Sequence, residues 1–220
     1  GGEDGGAAGP GEGAPAPHAP PSEVGWLRGL SGDMTVADGA GEGAAVLQGR
    51  SNFSTALAWR GCGPGRWYYE VVARGGGAIQ VGWAAPGSFA ARSDAGEGVG
   101  DDAAGSSWGY DPARAQAFVG GASRPFPSAT AAAPAAERVV GCAYDADAGT
   151  LSYWSDGTPL GVVFRGVPRA GLCPAFSVDG GVVLDVAIGP TFPGGLPDGH
   201  RAVREADVPQ AAAGDATGPP

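Results

Sequence analysis

Residues 66–84 read RWYYEVVARGGGAIQVGWA, and after a loop residues 98–110 read GVGDDAAGSSWGY. Trp67, Tyr69 and Val71 alternate with Tyr68, Glu70 and Val72. Ile79, Val81 and Trp83 alternate again, the period-2 pattern of pleated strands. Gly75, Gly76 and Gly77 separate the two runs. Glycine reaches positive φ there without steric cost, so the stretch predicts a hairpin. Four of the six tryptophans fall between Trp59 and Trp108, which places the large buried aromatic area here.

The same pattern extends outward in both directions. Upstream, Ala44 to Gln48 and Phe53 to Trp59 predict two short strands, with Val24, Trp26 and Leu30 tacking the chain onto the domain. Downstream, short strands are expected at Trp108 to Tyr110, Gln116 to Val119, Arg138 to Tyr144, Leu151 to Trp154, Leu160 to Phe164, Leu172 to Val178 and Val182 to Ile188. Ala122 to Ala136, with Phe126 its one large residue, is expected to be a long loop. About ten strands with Gly/Asp turns and no amphipathic helix predict an all-β fold, two antiparallel sheets packed as a sandwich. Residues 1–23 are a Gly/Ala/Pro linker with almost nothing apolar, and residues 205–220 are similar. Both are expected to be disordered tails flanking a domain over 24–204.

The net charge is −10, and all 13 cations are arginine. Seven of the negative charges (Glu3, Asp4, Glu12, Glu23, Glu205, Asp207, Asp215) sit in the tails without an arginine to offset them, so the middle is nearly balanced. Without a basic stripe, nucleic acid is not an expected partner. Cys62, Cys142 and Cys173 are odd in number and lack a C-x-x-C spacing, which predicts reduced thiols in an intracellular, cytoplasmic setting, with no metal and no cofactor. No run approaches a membrane span. The sequence opens on Gly1, and a segment of a longer multidomain chain is expected.

The words Gly65-Arg66-Trp67-Tyr68-Tyr69-Glu70-Val71, Gln80-Val81-Gly82-Trp83-Ala84, Gly98-Val99-Gly100-Asp101-Asp102 and Ser107-Trp108-Gly109-Tyr110-Asp111 resemble the SPRY domain. The resemblance continues through Val140-Gly141-Cys142, the run Leu151 to Gly161, and Cys173-Pro174-Ala175-Phe176-Ser177. It covers about Trp59 to Pro197 and is greatest to the SPRY domains of ryanodine receptors and of large RING- and HECT-type ubiquitin ligases. It implies a bent, concanavalin-like jelly-roll sandwich. It further implies a non-enzymatic module that presents loops at one edge to a peptide or partner domain, as the recognition part of a ligase or scaffold. The family's Asn-Phe-Gly word after the last strand is absent, and Phe192 is expected to supply its ring.

Catalytic chemistry is sparse. His18 and His200 both lie outside the strand pattern, which removes the usual triads. Gly105-Ser106-Ser107-Trp108-Gly109 matches a nucleophile elbow in letters, but no helix follows. Asp145-x-Asp147-x-Gly149 lacks the third carboxylate of a calcium loop and predicts a hairpin turn. Asp101 and Asp102 are expected to hold a tight turn through backbone amides. For partner binding, the loops 85–97, 101–107 and 112–136 offer Arg92, Arg114 and Arg124 as charged anchors and Phe89 and Phe126 as apolar ones. Trp154 stands behind them, at a rim or beneath the 122–136 loop. Arginine beside phenylalanine predicts a partner peptide with carboxylates and apolar groups. Two other readings are an intramolecular docking domain of a large channel-type protein and a lectin-like carbohydrate-binding sandwich, the latter without its expected carboxylate pair.

Overall fold

The structure, a computed structural model, describes residues 23–58, 61–126 and 137–206. Fourteen strands follow in order: β1 (Glu23–Val24), β2 (Leu27–Asp38), β3 (Ala44–Ala58), β4 (Arg66–Arg74), β5 (Ile79–Ala84), β6 (Ser107–Asp111), β7 (Gln116–Val119), β8 (Ala122–Pro125), β9 (Glu137–Asp145), β10 (Thr150–Ser155), β11 (Thr158–Arg165), β12 (Cys173–Val178), β13 (Val183–Ala187) and β14 (Arg201–Ala202). The only helical pieces among the described residues are 3-10 turns at Ser93–Ala95 and Val203–Glu205. The expected tails lie outside the described residues at 1–22 and 207–220. Glu205 and Ala206 are among the described residues, and Ala206 is buried.

The expected two layers are joined in one hydrogen-bonded path, β11-β10-β9-β4-β13-β3-β12-β5-β6-β7-β8. β3 is the join. Its first half, Ala44 to Gln48, pairs with β13, and its second half, Ser54 to Leu57, pairs with β12 along the same edge. β2 lines the opposite edge over nearly its whole length. The layers part at Gly49, whose N–H reaches Val182 O while the Asp179–Val182 turn fills the gap. A Cβ at Gly49 would run into the Asp179 carbonyl. This corrects two expectations. Ala44–Gln48 and Phe53–Trp59 are one strand, with Trp59 outside the described residues. The segment after Trp26 is a twelve-residue strand, not a tack. Its register shifts between Gly29, Ser31, Asp33 and Met34, and such bulges erase the period that would have revealed it.

The core lies between the layers. Trp67, Tyr69, Val71, Val81, Trp83, Cys142, Leu184 and Val186 are all buried. Tyr69 packs edge-on against Trp83 and Phe176, and Tyr110 meets Tyr153 at 5.0 Å between ring centroids. Hydroxyls cross the interface as well: Tyr69 donates to Gly82 O at 2.6 Å. All three cysteines are buried and unbridged.

Candidate functional site

After β5 the chain does not stay at the rim. The Phe89 N–H closes a turn on Ala85 O, and the loop then folds back over the outer face of the second layer. There Phe89 and Val99 are buried against Leu57, Ala84, Cys173 and Ala175. Phe89 is thus the keystone of a small second core, not an exposed anchor. Phe126 is likewise buried, edge-on to Tyr110 at 5.8 Å. A loop's letters do not tell which of its apolar residues folds inward. Residues 122–125, expected within a loop, are β8; residues 127–136 lie outside the described residues.

The loop returns through two aspartates. Asp101 accepts the Gly98 N–H at 3.0 Å. Asp102 is buried and accepts the Ser106 N–H at 2.6 Å, the Ser106 hydroxyl at 2.7 Å and the Ser107 hydroxyl. Ser107 in turn accepts the Gly100 N–H at 2.7 Å. The central serine of the elbow-like word is therefore sealed inside a turn, and His200 stands on the other layer, beside Tyr68 and Trp154. Burial pushes the Cys62 and Cys142 thiols up, so neither offers a thiolate. Among the described residues no group of three His, Cys, Asp or Glu side chains is placed to hold a metal.

The returning loop leaves an open cleft of about 520 Å³ between its tip and the turn from β7 to β8. Gln80 lies in its wall, with Phe53 and Phe118, while Glu97, Asp101, Asp179 and Arg114 supply charge. Gln80 alternates with core-facing Ile79 and Val81 and so points away from the core. It is nevertheless buried, and its Oε1 has no hydrogen-bond donor among the described residues. Sequence reading passed over Gln80, because a polar residue at an alternating position reads as an ordinary solvent-facing one.

The three arginines are already engaged. Arg114 pairs with Asp111, whose buried carboxylate also caps the Ala113 and Arg114 N–H groups at 2.8 and 2.9 Å. Its guanidinium lies 5.6 Å from the Phe118 ring centre. Arg124 donates to Val163 O and lies over Phe164, tying β8 to β11. Arg92 is the loosest, its 65% exposed side chain 3.6 Å from the more exposed Asp94. The signal for Asp111 was Asp-Pro at the strand end, a turn initiator.

Trp154 sits on the outer face of the first layer, away from the cleft. Tyr68 and His200 pack edge-on against it, at 5.7 and 5.9 Å, and Phe192 meets Tyr68 at 5.2 Å. The segment after β13 therefore supplies the cover for Trp154. The six expected contact residues do not converge on one surface.

Beneath that cover lies a buried carboxylate. Glu70 accepts the Tyr68 hydroxyl at 2.6 Å and the Gly194 N–H at 2.8 Å. Burial nonetheless outweighs both bonds and holds its carboxyl above the usual value of 4.5. As pH falls from neutral, the folded form takes up this proton before the unfolded chain does. Between the raised value and about pH 4.5 the folded state binds more protons, so this group's contribution to stability grows as pH falls and is lost as pH rises. Glu70→Gln should abolish that share: the difference in melting temperature between parent and variant should move toward the parent on going from about pH 7 to about pH 5. A difference constant across that range would refute it.

Comparison with known proteins agrees with this architecture. The chain is 30% identical over 166 residues to the E3 ubiquitin-protein ligase RKP of Arabidopsis thaliana, a match that covers 73% of this chain and 12% of that protein. The chain thus spans about an eighth of that relative's length. The crystal structure of the SPRY domain of human HERC1 superposes with a TM-score of 0.51 at 16% identity, over 64% of this chain and 87% of that one. The two share a fold. The SPRY domain family model matches residues 66–191. From the strand words around Trp67 and Trp83 to the paired layers that bury them, the chain belongs to the SPRY domain family.

Proposed function

We propose that this chain is a non-enzymatic protein-interaction module, the partner-recognition part of a larger intracellular, ligase-type protein, which engages its partner through the loop edge of the second layer. The observation that carries this is the open, charged cleft beside the 85–101 loop, where the loop residues Glu97, Asp101 and Asp179 stand over the strand residues Phe53, Gln80 and Phe118. The strands spend their side chains on the core, so the loops are the surface free to specify a partner. Descriptions of relatives as a ubiquitin ligase and a SPRY domain support the setting.

Of the arginine anchors, Arg92 is the best placed, because its pairing with Asp94 is exposed and such pairs are worth little. The test is capture of partners from lysate by the 220-residue chain, followed by titration of one purified partner. Arg92→Ala should weaken its binding ~10-fold or more while leaving the melting temperature within a degree or two, since surface changes stay near ±0.5 kcal/mol (roughly). A partner indifferent to Arg92→Ala but lost with Trp154→Ala would place recognition on the first layer and end the loop-edge reading.

A further inference from the structure

We propose that the cleft beside Gln80 is a subsite for an arginine side chain carried by the partner; this rests on the interaction-module reading and specifies its chemistry. Charge is the first ground. Glu97, Asp101 and Asp179 all line the cleft. Among the described residues none of the three is within ion-pair distance of a cation. The cleft's own Arg114 does not balance them, because the buried Asp111 already does so for Arg114. Among the described residues, no cation balances these three carboxylates.

The second ground is independent of charge. The Gln80 carboxamide is 2% exposed, lies in the cleft wall, and its oxygen has no donor among the described residues. A buried carboxamide without a partner is unfavourable, and a ligand that bonds to it relieves part of that cost. A half-turn about the terminal side-chain bond exchanges oxygen and nitrogen, so the oxygen can be presented to the cleft. Gly98 makes room for this amide: a Cβ there would collide with Gln80 Oε1 and the Phe53 ring.

A guanidinium satisfies both grounds at once. Its fork of donors can serve the carboxamide oxygen and a rim carboxylate together, and its plane stacks on aromatic faces. The half-buried Phe53 ring in the wall offers such a face. The molecule already holds one guanidinium this way, with Arg114 over Phe118 in the same cleft. An ammonium would serve the carboxylates and approach the ring, but it has no plane to stack and no fork to span the amide and a carboxylate together. This reverses the expectation from the sequence, in which the protein supplies the arginine and the partner the acid.

The probe is the blocked tripeptide acetyl-Gly-Arg-Gly-amide, titrated into the isotope-labelled 220-residue chain and read by amide chemical shifts, beside its lysine and glutamate counterparts. The arginine peptide should give saturable shifts clustered at Gln80, Gly96 to Gly98 and Asp179. The lysine peptide should bind more weakly, and the glutamate peptide should not bind. Glu97→Arg, a change at a half-exposed loop tip, should weaken the arginine peptide at least ~10-fold at unchanged melting temperature. Gln80→Leu should erase the preference for arginine over lysine, and if that variant fails to fold, Glu97→Arg still decides. Scattered shifts, equal binding of the glutamate peptide, or indifference to Glu97→Arg would overturn the subsite. A captured partner that obeys Arg92→Ala but ignores Glu97→Arg would leave the interaction module standing and remove only this inference.

Discussion

Replacing Trp83 by alanine is expected to cost ~3–5 kcal/mol, the range for emptying a large aromatic site in a packed core. Trp83 is fully buried, its ring 5.2 Å from that of Tyr69 and 5.3 Å from that of Tyr144, so it is held by β4 and β9 across the interior. Neither neighbour can collapse into the void, because Tyr69 is fixed by its bond to Gly82 O and Tyr144 by its bond to Pro168 O. Against a total stability of about 5–15 kcal/mol, this is enough to unfold a marginal domain. Urea titration followed by tryptophan fluorescence is the measurement. A loss below ~1 kcal/mol would mean that the layers are not locked together at this point.

The second large effect is expected at Asp102. Its carboxylate collects a backbone N–H and two hydroxyls in a buried turn. Alanine there strands all three donors, an expected loss of about 3 kcal/mol, or roughly 10 °C in melting temperature for a domain of this size. Asp101→Ala removes a single bond at a half-buried site and should cost only ~1 kcal/mol. The pair of melts separates two aspartates that look interchangeable in sequence. Equal shifts would show that the turn is held by something other than the Asp102 cradle.

How far this molecule can be read from its letters depends on which force places each residue. Strands such as β4, β5, β10 and β13 alternate between core and outer face, so one period of two reveals them, and the burial of Trp67, Val81 and Leu184 follows. β2 escapes because Gly29, Ser31, Gly32 and Asp33 interrupt the period where bulges shift its register. β8 escapes because a short edge strand with every residue exposed carries no apolar signal. The loops were least legible. Phe89 and Phe126 were placed by tertiary packing over surfaces that no local pattern describes, and the arginines found acidic or carbonyl partners close by. Gln80 is covered by a loop 18 residues downstream, whose Gly98 packs onto its amide, and no local pattern encodes that approach.

The ribbon of β2 and β3 that borders both layers also sets how the chain must assemble. Neither layer is complete until Leu47 has found Leu184 and Ala56 has found Phe176, each across more than half the chain. The entropy of closing such long loops is spent before the contacts return it, which makes for slow folding dominated by non-local pairing. The same sharing makes the transition all-or-none. Since β12 and β13 dock on one edge of one strand, loosening that strand frees both layers together, and a half-folded sandwich with one intact sheet has no independent footing.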